Sequence, residues 1–388
     1  MQEPFRMQAV QSPVIPIVGE MISRHPGTIS LGQGVVHYPP PPQAVEAIAR
    51  FLSDPDNHKY RPVQGIPPLL EAIAAKLRAE NGIDLQAGRS LVVTAGANMA
   101  FLNAILAVTD PSDEIILLTP YYFNHDMAVA MAGCRPVTVA TDENYQPRLE
   151  AIEAAITERT RAILTISPNN PTGAVYAEEA LRAINALCRR YRLYHISDEA
   201  YEYFTYDGAR HFSPGSLPGS ESYTISLYSL SKAYGFASWR IGYMVLPEQL
   251  LVPVKKIQDT MLICPPVISQ YAAVGALEAG ADYCRKHLRD IAEVRQVALE
   301  ALRSLQPLCT VPEAKGAFYF LLKIHACLDP MRLVERLIAE HRVAALPGTT
   351  FGMEAGCYLR VSYGTLPKDR AMEGIGRLVE GLRTLLKE

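Results

Sequence analysis

The sequence predicts an α/β fold with a largely parallel sheet. Three observations carry the prediction: short apolar runs recur along the chain, helix-like stretches alternate with them, and the character of the chain changes near residue 280. In order, the runs are "LVVT" at 91–94, "IILL" at 115–118, "PVTV" at 136–139, "AILTI" at 162–166, "LYHIS" at 193–197, "YTISL" at 223–227 and "IGYMVL" at 241–246. Most are too short to be helices. Between them, "AEEALRAINALCRRY" at 177–191 sets Ala180, Leu181, Ile184, Leu187 and Cys188 on one helical stripe. After "CPPVISQYAAVGALEAG", the charged and periodic segment 282–305 predicts one helix leading into a second region of mixed strands and helices.

Composition excludes several classes of function. The chain has 388 residues, 49% of them hydrophobic, enough for a large domain and a smaller one, each with its own core. Its 37 basic residues nearly balance 40 acidic ones, so no broad field favours nucleic acid or a membrane surface, and anion binding has to be local. The seven cysteines are scattered, without C-x-x-C pairs or metal-like His spacing, which fits a reducing cytoplasm and predicts no metal site. The opening twenty residues are charged early and broken by Pro13 and Pro16, unlike a signal peptide, and no later run is long enough to span a bilayer.

In open α/β sheets ligands collect beyond the carboxyl ends of the strands, so the residues after each run are the candidates. "AGANMAFLNAIL" after the first run is either a tight turn or a helix start whose Ala97 and Asn98 amides hold a phosphate. "SPNNPTG" at 167–173 is either a plain turn or a rigid loop that leaves the Asn169 and Asn170 amides exposed. "DEAYEYF" puts Asp198 at a strand end, as a helix cap or as a functional acid, with Tyr201 three residues on. "SLYSLSKAYGFASWRIGY" at 226–243 isolates Lys232 among small and hydroxylic residues, with Arg240 eight positions later. A lysine near a phosphate site, an arginine and an acid is what Schiff-base chemistry requires: a partly desolvated amine that is a nucleophile and then a proton carrier.

The ordered set Asn170, Asp198, Tyr201, Ser229, Lys232, Arg240 and Arg360 resembles the signature of the class I/II aminotransferases, which depend on pyridoxal 5'-phosphate and have the fold type I architecture. The resemblance runs from "ISLGQGVVHYPPP" near residue 29 to "LRVSYG" at 359–364, and several stretches ("GQGVVHY", "VTAGANMAF", "PYYFN", "YEYFTYDG", "KIQDTMLIC") are similar to the plant aromatic and methionine aminotransferases. It implies a mostly parallel seven-stranded sheet in a large cofactor domain at 41–280. A small α+β domain would be made of 1–40 and 281–388.

The resemblance also implies a site. Lys232 is the covalent anchor of the cofactor and the proton shuttle, Asp198 keeps the pyridine nitrogen protonated, and Tyr201 and Asn170 bond the ring's phenolic oxygen. Arg240, Ser229 and the amides of Ala97 and Asn98 hold the phosphate, Tyr122 stacks on the ring, and Tyr60 reaches the phosphate of a neighbouring subunit in a homodimer with shared sites. Arg360 grips the substrate α-carboxylate, assisted by Gly34 and Asn170. The substrates would be an amino acid and a 2-oxo acid, with no nucleic acid or membrane partner. Aromatic amino acids or methionine are expected as donors: no arginine occurs in 241–283, and "LICPPVISQ", Val35, Val36 and Tyr122 are expected to line an apolar pocket. The sequence departs from many relatives at His37, either a substrate contact or a surface histidine. Rival readings are an aspartate or broad-range aminotransferase, and a C–S or C–N lyase on the same fold. A cofactor-sensing regulator would need an added DNA-binding module, and the first strand-forming motif begins too early to leave room for one.

Overall fold

The computed structural model describes residues 4–85 and 88–387. A two-residue strand, β1 (Ile29–Ser30), comes first, followed by the large sheet: β2 (Arg89–Thr94), β3 (Glu114–Thr119), β4 (Arg135–Ala140), β5 (Thr160–Ile166), β6 (Tyr194–Asp198), β7 (Thr224–Ser229) and β8 (Gly242–Pro247). Every apolar run named above falls on one of these seven strands, in the order β2-β8-β7-β6-β5-β3-β4. The central strands are buried almost throughout because helices cover both faces, which is why they read as continuous apolar runs rather than alternating ones. Edge strand β4 is partly exposed.

β8 alone runs against its neighbours β2 and β7. The link from β7 to β8 carries only a four-residue helix, Leu230–Ala233, and has no crossover helix to bring the chain back to the starting edge. The consequence is local: Ser229 and Thr94, at the carboxyl ends of their strands, both pair with Gly242 at the start of β8.

The second region holds a four-stranded antiparallel sheet of β9 (Cys309–Thr310), β10 (Tyr319–Ile324), β12 (Leu346–Pro347) and β13 (Cys357–Ser362), with β11 (Val343–Ala344) pairing in parallel with β1. Val14, Val18, Ile29, Leu31 and Tyr38 pack into the same core as Ile291, Leu337, Ile338, Ile375 and Leu382. The long helix differs from expectation. It spans Val267–Arg303 and is broken at Gly280, whose φ of 69° no L side chain adopts readily; the predicted helix at 282–305 is its second half.

Candidate active site

The carboxyl edge of the large sheet builds the site. Ser229 ends β7 and caps the short helix that follows, its Oγ accepting from the Ser231 amide at 3.1 Å, and this lifts Lys232 to the edge of the sheet. There the Lys232 ammonium donates to the Gly34 carbonyl. Burial, with the Arg360 and Arg240 guanidiniums, pulls its pKa down to about 8; Asp198 opposes the fall.

One end of the cavity is shaped for an anion. Gly96, with φ 83°, precedes the helix Ala97–Val108, whose first amides have no partner within the helix. Arg240, itself at φ 55°, lies across this turn and donates from Nη1 to Ala237 O at 2.9 Å and from Nη2 to Ala95 O at 3.1 Å. A Cβ on Gly96 would sit 2.2 Å from Arg240 Nη2, and one on Gly242 would sit 2.8 Å from the Ala97 nitrogen. The cradle therefore requires glycine where backbone and guanidinium converge.

The opposite wall holds Asp198. Its Oδ1 accepts from the Ala200 amide at 3.0 Å, while its Oδ2 lies 3.1 Å from His125 Nε2. No helix follows β6 directly, so the helix-cap reading of this acid is not met, and its bond to the Ala200 amide closes a turn instead. Tyr201 OH and Tyr319 OH share a 2.8 Å hydrogen bond. Arg360 is 1% exposed, donates from Nη1 to Asn170 Oδ1 at 2.9 Å and from Nη2 to Gly32 O at 2.6 Å, and leaves its Nε without a protein partner. Its guanidinium lies between two rings, 4.5 Å from the centre of Tyr319 and 4.9 Å from that of Phe351.

One cavity is lined by Gly34, Ala97, Asn98, Tyr122, Asn170, Asp198, Tyr201, Ser229, Lys232, Arg240 and Arg360 together. Tyr60 does not line it and is 78% exposed. Three expectations are corrected. The Asn169 amide is engaged by Ala174 O at 2.8 Å, because the Asn169 side chain closes the loop on Thr172. The segment 262–270 stays out of the cavity of its own chain, with Ile263 and Ile268 exposed, and Val36 packs on the small-region core instead. Of that expected apolar lining, Val35 and Tyr122 remain, joined by Ile15 and Phe123.

Sequence reasoning did not single out His125, Tyr319, Ile15 or Phe123. His125 and Phe123 follow the "PYY" turn on the helix Phe123–Met131, so their strand-end position was a usable signal. Ile15 and Tyr319 come from elements remote in sequence and carried no such mark. His37 turns toward the Gly364 carbonyl, 3.4 Å from its Nδ1, and is not among the cavity-lining residues.

This donor set fits pyridoxal phosphate. An amine that loses its proton readily, an anion cradle closed by Arg240, a buried acid and an arginine with an unpaired Nε share one cavity. Among the described residues no group of His, Cys, Asp and Glu could hold a metal ion, and no helix is long and apolar enough to cross a membrane.

Comparison with known proteins agrees. The family "Aminotransferase class I and II" matches residues 26–378. An aromatic aminotransferase of Arabidopsis thaliana is 32% identical over 98% of this chain and 96% of its own, and the aspartate/prephenate aminotransferase of Thermus thermophilus is 35% identical over 90% and 91%. Among solved structures, Thermus thermophilus aspartate aminotransferase with maleate superposes with a TM-score of 0.89 at 32% identity, covering 98% of this chain and 100% of that one. A Pyrococcus protein reaches a TM-score of 0.93 at 31% identity, with 98% of each chain covered. The chain belongs to the class I and II aminotransferases, pyridoxal-phosphate-dependent enzymes of fold type I.

Proposed function

We propose that this aminotransferase moves an amino group from an amino acid with a large uncharged side chain, aromatic or thioether, to a 2-oxo acid. One observation carries the reading: the only cations lining the described cavity are Lys232, Arg240 and Arg360, and the wall beside them is made of Ile15, Val35, Tyr122 and Phe123. The anchor, the cofactor phosphate and the substrate α-carboxylate occupy those three cations. A second carboxylate on the substrate would then lie against apolar side chains without an ionic partner, at a cost of a few kcal/mol.

Pyridoxal phosphate supplies, when bound, an aldehyde that links to amines and a cationic ring that takes up the electron pair of a broken C–H bond. The protein's part is positioning and proton transfer. Burial and the two guanidiniums lower the Lys232 pKa to about 8, so near neutral pH part of it would be neutral: the amine that would anchor the cofactor and would carry a proton to and from the substrate Cα. Asp198, held by the Ala200 amide and His125, keeps the ring nitrogen protonated. Arg360, braced by Asn170 and Gly32, turns its free Nε–H to the α-carboxylate. With the cofactor bound, Tyr122 would pack on its ring, and Ser229, Arg240 and the amides of Ala97 and Asn98, which line the same cavity, would hold its phosphate.

The same reading makes the enzyme a homodimer in which Tyr60 crosses to the partner's phosphate. Exposed Tyr60, Met261, Ile263 and Ile268 support it, since the segment just after Tyr60 is tied to the helix Leu251–Leu262 by the Gln258 Nε2 bond to Val63 O at 2.6 Å. Gly280 is the natural division between a large domain at 41–280 and a small one at 1–40 and 281–388. Free cysteines throughout the described residues fit a cytoplasmic enzyme.

Aspartate is the competing donor, and relatives named for aspartate/prephenate support it as their names stand. Steady-state kcat/KM for phenylalanine, tyrosine, tryptophan, methionine and aspartate, each with 2-oxoglutarate, separates the two. The proposal requires an uncharged donor to lead, and a higher value for aspartate than for all four others overturns it.

A further inference from the structure

Tyr319 lies where three parts of the site meet. It opens β10, is fully buried, and its hydroxyl is 2.8 Å from that of Tyr201. A Cβ on Gly34 would approach the same hydroxyl to 2.8 Å, and the Gly34 carbonyl receives the Lys232 ammonium. The face of the Tyr319 ring carries the Arg360 guanidinium at 4.5 Å.

A phenol has one proton to donate and lone pairs to accept. The Tyr201 oxygen faces the Asn170 amide at 3.5 Å and Tyr319 at 2.8 Å, and the Asn170 carbonyl oxygen is already taken by Arg360. With Tyr319 donating, the proton of Tyr201 is left for the cavity, and a hydroxyl that accepts a hydrogen bond is the stronger donor for it. We propose that Tyr319 is a positioning residue: its hydroxyl directs the Tyr201 proton toward the cofactor's phenolic oxygen, and its ring seats Arg360 for the substrate carboxylate. The first half rests on the reading of Tyr201 as the partner of that oxygen.

Both phenols stay protonated at working pH, because burial raises Tyr201 well above its ordinary value and Tyr319 to about 12. The charged and titratable groups that face the pair are Arg360 and Tyr122, with Asp198, Lys232 and Arg240 on the other walls of the cavity. With the cofactor bound, a proton donated to its phenolic oxygen would draw electron density from that oxygen and so lower the pH at which the visible band of the holoenzyme changes. Removing the donation raises the pH at which the visible band of the holoenzyme changes.

The test is a spectrophotometric pH titration of the holoenzyme for wild type, Tyr201→Phe and Tyr319→Phe, with the affinity of the probes maleate and 3-phenylpropionate measured in parallel. Tyr319→Phe keeps the ring and is expected to raise the midpoint by about half a pH unit or more, in the same direction as Tyr201→Phe, with probe affinity within about twofold of wild type. Tyr319→Leu removes the ring as well and is expected to weaken the probes by about fivefold or more. A midpoint unmoved in Tyr319→Phe but raised in Tyr201→Phe overturns the directing role while leaving the Tyr201 contact intact. Midpoints unmoved in both overturn the directing role together with the Tyr201 reading on which it rests. Unchanged probe affinity in Tyr319→Leu overturns the seating role.

Discussion

His125 Nε2 lies 3.1 Å from Asp198 Oδ2, with both side chains buried beneath the cavity. The contact joins the end of β6 to the helix that follows β3, and Tyr122 meets the same histidine edge-on at 5.2 Å between ring centres. Asp198→Ala removes the only carboxylate that lines the described cavity. It should lower kcat by about two to three orders of magnitude, measured in single-turnover half-reactions with cofactor in excess. His125→Ala leaves the carboxylate with its Ala200 bond and should lower kcat by about tenfold. A half-reaction rate kept within twofold in Asp198→Ala contradicts the role given to the acid.

Cofactor capture by the apoenzyme should depend on pH through Lys232. Its pKa is lowered to about 8 in the folded chain, so the reactive neutral amine grows as pH rises and levels off above that value. Stopped-flow mixing with pyridoxal phosphate should give a rate rising about tenfold per unit below the midpoint. Linkage gives the matching stability effect: the unfolded chain binds this proton more tightly, so the burial of Lys232 costs apoenzyme stability increasingly as pH falls from the ordinary lysine range to about 8 and adds no further loss below it. A capture midpoint near that of free lysine would remove the electrostatic account.

Lys232→Ala should bind the cofactor through Arg240 and Asp198 but lose turnover by at least about four orders of magnitude. After borohydride treatment of the wild type, peptide mapping should find the pyridoxyl label on Lys232. A label on another lysine contradicts the assignment.

Gly96→Ala tests the anion cradle. A side chain there meets Arg240 Nη2 at 2.2 Å on a backbone of φ 83°, so Arg240 has to move. Cofactor affinity should fall by about tenfold or more while inorganic phosphate protects the variant less well than wild type in a thermal melt. Equal protection would show that the cradle is elsewhere.

Ile15→Lys tests the pocket wall by giving it the cation it lacks. The ratio of kcat/KM for aspartate to that for phenylalanine should rise by about tenfold or more. An unchanged ratio places the substrate side chain away from Ile15.

Sedimentation at working concentrations should show a dimer, and Tyr60→Phe should weaken cofactor binding by a few-fold without changing the assembly. An active monomer contradicts the shared site.

The sequence by itself determined the sheet and most of the residues that line the candidate site. Parallel strands buried on both faces must be apolar throughout, so each is visible as a short run, and a ligand site at their carboxyl ends places Asp198, Ser229 and Lys232 by position alone. Arg240, Asn170 and Arg360 were legible through their place in the ordered set. Tertiary structure decided what depends on chain segments far apart in sequence. Ile15, on the helix Val14–Ser23, and Tyr319, at the start of β10, line the same cavity as residues of the large sheet, and no local pattern in either segment encodes that approach. It also kept the apolar 262–270 segment out of the cavity of its own chain: hydrophobicity specifies that a residue prefers to leave water, and only the packing of the whole chain specifies where.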